Sequence, residues 1–353
     1  MDTPKVGHRI ALDCMGGDMG PSEAVAAVAI ALKDNLIGPD DRIVLVGHQD
    51  ILQLLAREHR FRPGGRVDIR HAGSIVTPDD NPMSAMKGKK DASMLVAIEM
   101  LKAGEVDAMV STGNTKVLVG AGTIRLRTLE GAERPALAAI MPRRQGHFVL
   151  LDVGANPEAT PEHLVHNAIM GRVYAQSALG IADPRVGLLT VGTEEGKGGE
   201  RINRAHHVLK AMGDTLRYVG PVEGFDVFGD VCDVVVTDGF TGNIIIKTLE
   251  GLVYMVRDLV GPKVRYNPVY LAGGIAMFPL LRELKGHLKP ERYGGAPLLG
   301  LNGLVMKAHG SSNRHGIASA IRLGREALEA GARQRMLTDL AAANALMASL
   351  PRE

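Results

Sequence analysis

The chain has 353 residues, 41 Lys plus Arg against 39 Asp plus Glu, 3% aromatic residues and no tryptophan. That length suits one large α/β body or two interlocked halves, and the balanced charge with little aromatic surface for base stacking argues against a nucleic-acid role. Two cysteines, Cys14 and Cys232, have neither metal spacing nor a disulfide framework, so a reducing, cytoplasmic setting is expected. At the start, Asp2, Lys5, His8 and Arg9 precede a short apolar run without the layout of a signal peptide. No uncharged stretch reaches the ~20 residues of a membrane span, so neither secretion nor spanning is expected.

Short β-type runs alternate with longer helical ones from end to end, the pattern of a mostly parallel sheet covered by helices. Strands are expected near Ile10–Asp13, Ile43–Gly47, Val67–His71, Ala108–Ser111, Ala136–Met141, Val149–Val153, Val186–Val191, Leu216–Val219, Val234–Asp238 and Leu304–Ala308. Pro21, Ser22 and Glu23 open one helix, with an apolar face through Val25, Val28, Ala29 and Leu32. Pro161 and Glu162 open another. There is no repeat, low-complexity tract or linker, so residues 1–353 read as a single α/β catalytic domain.

Most of the unusual loops follow strands: MGGDMGP after Leu12, STGNT after Met109, DVGANPE after Leu150, VGTEEGKGG after Leu189 and TDGFTGN after Val235. In a parallel sheet the carboxyl ends of strands face a common crevice, so loops far apart in sequence can converge on one site. The stretches VGTEEGKGGE (Val191 to Glu200) and GGAPLLGLNGLVMKAHGSSN (Gly294 to Asn313) are rich in glycine and small hydroxyls. Both read as exposed backbone for gripping an anion.

VGTEEGKGGE is not a nucleotide P-loop: Gly192 and Gly196 stand too close, and Gly198 follows Lys197 where a magnesium-binding hydroxyl belongs. Lys197 supplies one compact charge that Glu194, Glu195 and Glu200 can orient; a solvated charged turn is the plainer alternative. In TDGFTGN, Thr241 or Asn243 either caps the following helix or offers a donor to an oxyanion. In STGNT, Ser111, Asn114 and Thr115 have the same character. Asp18 can form a turn or hold a positive side chain.

The segment Lys307 to Asn313 places a cation, an imidazole and two hydroxyls before a helix. Without a G-x-S-x-G elbow, phosphate or helix-start binding by Ser311 and Ser312 is expected over hydrolase chemistry. His163, His166, His206 and His207 lack zinc spacing and read as helix-surface histidines; no metal and no cofactor are implied.

From residue 244 to residue 284 the texture changes. An apolar face through Ile244, Leu252, Val256, Leu259, Tyr266, Leu271, Phe278 and Leu281 is interrupted by Lys247, Arg257, Lys263 and Arg265, so it can lie on a surface but not cross a bilayer. A helical dimer interface, a membrane or acyl-chain contact, or both, are the readings.

VGTEEGKG, TDGFTGN, LLDVGAN, DCMGGDMGP and the GGAPLLGLNG block with its lysine and HGSS resemble, in order and over nearly the whole chain, the PlsX family of phosphate acyltransferases. The resemblance implies a doubly wound fold similar to phosphotransacetylases and isocitrate-type dehydrogenases, with a protruding helical region. It implies transfer of a fatty acyl group from acyl carrier protein to inorganic phosphate, giving acyl phosphate for phospholipid synthesis. It also implies a cytoplasmic homodimer that contacts the membrane peripherally and supplies a glycerol-3-phosphate acyltransferase.

On that reaction, Lys197 is expected to place phosphate or stabilise developing charge, and Asn243 to donate to the tetrahedral intermediate. Asn114, Thr115, His309 and Ser311 are expected to hold phosphate. Thr112 and Lys116 depart from the family pattern. Arg57, Arg60, Arg62, Arg66 and Arg70, or Lys87, Lys89 and Lys90, can steer an acidic carrier protein or be plain solvated surface. A phosphotransacetylase-like enzyme acting on acyl coenzyme A is the alternative.

Overall fold

In a strand the side chains alternate between faces, and here both faces are apolar, so each strand must be covered twice. The computed structural model describes residues 7–194, 196–288 and 294–350, and it meets this demand with one eleven-stranded sheet. Glu195, Asp2 and Lys5 lie outside the described residues.

In chain order the elements are β1 (Arg9–Asp13), α1 (Pro21–Lys33), β2 (Arg42–Gly47), α2 (Gln49–Glu58), β3 (Val67–His71), α3 (Pro82–Gly88), α4 (Ser93–Lys102), β4 (Ala108–Ser111), α5 (Thr115–Leu126), β5 (Ala136–Pro142) and β6 (His147–Leu151). They continue as α6 (Pro161–Leu179), β7 (Val186–Thr190), α7 (Gly199–Ala211), β8 (Tyr218–Glu223), β9 (Val234–Val236), α8 (Gly239–Tyr266), α9 (Pro268–Ala276) and α10 (Phe278–Leu288). The chain closes with β10 (Gly295–Leu299), β11 (Leu304–Ala308), α11 (Arg314–Glu329) and α12 (Ala332–Ser349).

The strand order is β3-β2-β1-β4-β11-β10-β5-β6-β9-β7-β8. Pairing is parallel in both halves and antiparallel only at the seam, where β10 joins β11 to β5 and β5 joins β6. Alternation assigns the faces. Ile10, Leu12, Ile43, Leu45, Val110 and Met306 pack under α1 and α11. Ala11, Val46, Met109 and Val305 face the other way, against α4 and α5. In the second half Val149, Leu151, Val186, Leu188 and Val236 pack under α6, α7 and α12.

One expectation fails at the seam. GGAPLL is not an exposed anion loop but the buried strand β10, whose glycines serve packing. A Cβ at Gly294 would stand 2.8 Å from the Gly316 carbonyl oxygen, and one at Gly295 2.8 Å from the Ala320 Cα. α11 lies too close to the strand for any side chain there. A second correction concerns His166, which is buried and bonds Asn344 through Nε2 at 2.8 Å instead of lying on a helix surface. His163 completes a capping box with Thr160 at the start of α6.

α8 leaves the body after its first turns. Ile245 and Ile246 pack on the core, whereas Leu252, Val253, Met255, Val256, Leu259 and Val260 are exposed, as are the apolar residues of α9. Among the described residues no helix is long and apolar enough to cross a membrane.

Candidate active site

Three strand ends build the first half of the site. Asp13 pairs in register with Ser111, and Ser111 with Lys307, so one row crosses β1, β4 and β11. Strand alternation turns all three toward the α4 side, because Leu12, Val110 and Met306 face α1 and α11. The Asp13 carboxylate accepts from Ser111 Oγ at 2.7 Å and from Ser93 Oγ, at the start of α4, at 2.6 Å.

Lys307 is only 8% exposed; its Nζ donates to the carbonyls of Thr112, at 3.3 Å, and of Ala308. Burial brings the lysine down to about 8, with Asp13 and Asp18 pulling it back up and Lys247 pushing it further down. Burial likewise raises the Asp13 carboxyl, against the serine bonds. The loops above the row touch. A Cβ at Gly16 would lie 2.9 Å from the Gly113 Cα, and Asp18 N donates to the Gly310 carbonyl at 2.9 Å.

The second half is organised by Asp152, directly after β6. Its buried carboxylate accepts backbone N–H bonds from Leu137, Gly154, Ala155 and Asn156 at 2.7 to 3.0 Å, which fold the DVGAN loop around it. α8 starts against that loop, so close that a Cβ at Gly242 would stand 1.9 Å from the Asp152 carbonyl oxygen. Asp238 is the cap, accepting from Thr241 N at 2.7 Å and paired with Arg201 at 2.8 Å. Neither Thr241 nor Asn243 is used as the cap. Asn243 is exposed beside Gly154, and its side chain makes no hydrogen bond among the described residues.

α8 links the halves. One turn beyond Asn243, Lys247 Nζ lies 3.1 Å from His309 Nε2 and 2.7 Å from Glu250 Oε2. His309 Nδ1 lies 2.8 Å from Ser311 Oγ. Burial lowers the His309 pKa, and Lys247 lowers it further. Asn243, Lys247, His309 and Ser311 therefore form a continuous run from the Gly154 loop to the end of β11.

Lys197 stands on the loop before α7, exposed, with Nζ 3.7 Å from Glu194 Oε2. Four residues later in the chain Arg201 pairs with Asp238, the α8 cap, but among the described residues no hydrogen bond or ion pair joins Lys197 itself to Asn243, His309 or Ser311. Asn114 is fully engaged: its Oδ1 caps α5 through Lys116 N and Val117 N, and its Nδ2 donates to the carbonyls of Thr77, Pro78 and Asp80. It latches a loop, and Thr115 begins α5 beside it. Lys116 is exposed on the first turn of α5 and Thr112 is buried.

Sequence reasoning passed over Asp13, Lys247 and the burial of Lys307. Asp13 read as a strand end and Lys247 as an interruption of an apolar face; only the register of Asp13 and Lys307 on Ser111 could have joined them. Among the described residues, no group of three or more histidine, cysteine, aspartate or glutamate side chains is placed to hold a metal.

Residues 8–335 match the model of a family described as fatty acid synthesis protein. The phosphate acyltransferase of Desulfitobacterium hafniense is 41% identical over 92% of this chain and 95% of its own. That of Methylococcus capsulatus is 40% identical over 96% and 99%. Among solved structures, a phosphotransacetylase from Streptococcus pyogenes superposes with a TM-score of 0.60 at 18% identity, covering 92% of this chain and 94% of that one. A branched-chain phosphotransacylase from Enterococcus faecalis gives 0.56 at 15% identity, over 90% and 98%. These two likenesses bear on the fold.

Proposed function

The chain belongs to the fatty acid synthesis protein family, the PlsX-type phosphate acyltransferases, and on that premise we propose that it moves a fatty acyl group from acyl carrier protein to inorganic phosphate. A phosphate oxygen attacks the thioester carbonyl, a tetrahedral intermediate forms, and the C–S bond breaks to release thiolate, which takes up a proton. The products are acyl phosphate and the free carrier thiol.

The observation that carries the reading is the buried Lys307, held in a row with Asp13 and Ser111 where the rim loops meet and set close to His309 and Ser311. A cation kept out of water at a strand end is costly unless negative charge faces it; Asp13 and Asp18 supply part of that charge, and a bound phosphate would add to it. Phosphate is anionic near neutral pH, so it needs position and charge neutralisation more than a strong base.

His309, Ser311 and Lys307 are assigned to phosphate. Asn243 and Lys197 are assigned to the acyl group, where an amide N–H and an ammonium can stabilise the carbonyl oxygen as it gains charge. Asn114 and Thr115 set the α5 end of the site, Asn114 through the loop it latches. The neutral His309 is not a base for phosphate, because Lys247 occupies its Nε2.

The carrier protein is expected at Arg57, Arg60 and Arg62. Arg66 is bound to the Gly38 carbonyl, Arg70 to Glu105, and Lys89 to Asp80, which leaves those side chains less free to steer. The exposed apolar arm of α8 to α10 supports dimerisation, membrane contact or both. An acyl coenzyme A donor is the second reading, favoured by the fold shared with phosphotransacetylases.

Hydroxylamine trapping of acyl phosphate, with and without inorganic phosphate, tests the reaction. Phosphate-dependent trapping with acyl carrier protein as donor is the expected result. A signal independent of phosphate sinks the reading, and preference for acyl coenzyme A in direct competition replaces the donor.

A further inference from the structure

We propose that Lys247 is the residue that grips the attacking phosphate, with His309 positioning it and Ser311 completing the grip. This deepens the proposed function and rests on it. A lysine ammonium can only donate, so its 3.1 Å contact uses His309 Nε2 as the acceptor. On the other side of the ring Nδ1 lies 2.8 Å from Ser311 Oγ and 3.3 Å from Ser311 N, which ties the serine to the imidazole that holds the lysine.

Of the three N–H bonds of Lys247, Glu250 takes one and His309 another. The third has no acceptor among the described residues. That N–H, with the Ser311 hydroxyl beside the same imidazole, suits the oxygens of a tetrahedral oxyanion.

Electrostatics agree. The groups around His309 are Lys247 and Glu250 on α8, Lys307 on β11, Asp18 on the loop after β1, and Ser311. Lys247 lowers Lys307, and both lysines lower His309. A bound dianion relieves that repulsion.

The placement also divides the reaction. Lys247 and Asn243 are four residues apart on one helix, with Cβ atoms about 5–6 Å from each other. Asn243 faces the Gly154 loop and Lys247 faces His309. Phosphate held at the lysine end would meet a carbonyl held at the amide end across a single turn.

The test is the phosphate dependence of acyl phosphate formation at saturating thioester, with inorganic phosphate binding followed by calorimetry on the same proteins. Lys247→Met keeps the aliphatic stem and should raise the KM for phosphate and its Kd at least tenfold, with little change in the KM for thioester; Lys247→Arg should fall between parent and Met. His309→Gln retains an acceptor for Lys247 and should lose less than His309→Ala. An unchanged KM and Kd for phosphate in a folded Lys247→Met protein overturns the proposal. If the parent binds phosphate through Lys247 yet forms no acyl phosphate, the grip stands and the proposed function falls.

Discussion

Asp13 and Asp152 hold matching places in the two halves of the sheet, each buried at the carboxyl end of a strand, yet they are satisfied by different kinds of donor. Asp152 accepts four backbone N–H bonds, whose direction is fixed by the loop they fold. Asp13 accepts mainly from the hydroxyls of Ser93 and Ser111, which can rotate, and it lies within electrostatic reach of Lys307. The first aspartate holds backbone in place; the second holds charge.

Asp152 is the more sensitive of the two aspartates. Asp152→Asn sets an amide NH₂ against fixed N–H donors and should cost more than about 3 kcal/mol in thermal or denaturant unfolding. Asp13→Asn, whose serine partners can reverse, should cost about 1 kcal/mol or less in the same measurement. Equal losses would erase the distinction. Gly242→Ala belongs with Asp152: a Cβ 1.9 Å from the carbonyl oxygen must push α8 off its seat, and trapping activity should disappear along with stability.

Lys307→Met is expected to lower phosphate-dependent trapping by about 10²-fold or more. The pH response sharpens this further. Folded Lys307 titrates at about 8 against an ordinary 10.5, so the rate should fall as pH rises through about 8 and the cation is lost. Between about 8 and 10.5 the unfolded chain binds more protons than the folded one, so this group's contribution to stability rises with pH. Parent and Lys307→Met melting temperatures across that window should therefore diverge in slope.

Asn243→Ala should reduce the rate by about 10²-fold with an almost unchanged melting temperature, because the cap of α8 is Asp238. Asp238→Ala reverses the pattern on a smaller scale, with a stability loss of about 1 kcal/mol measured by unfolding.

Much of the fold was legible because strand and helix periods are local properties. Nine of the expected strands overlap observed ones closely, and the eighth, near Leu216–Val219, lies earlier than Tyr218–Glu223 because a short 3-10 turn at Gly213–Thr215 precedes it. β10 was not legible: its glycines answer to α11, a helix that comes later in the chain, and nothing in GGAPLL announces that neighbour. At the site, the His309 and Ser311 segment and Asn243 were visible as small polar residues around helix starts. Whether Asn243 was a cap or a donor was not, since both roles favour the same residue type. Asn114 read as a phosphate ligand for that same reason, and its side chain is spent on the loop from Thr77 to Asp80.

The alternating strands and helices, the glycine loops after strands and the family they mark can all be read from neighbouring residues. That Asp13, Ser111 and Lys307 share a row, and that Lys247 leaves an otherwise apolar face to meet His309, emerges only once the chain is folded. Register between strands and the approach of a helix to a distant loop depend on how the whole sheet closes, and that information is spread over the chain.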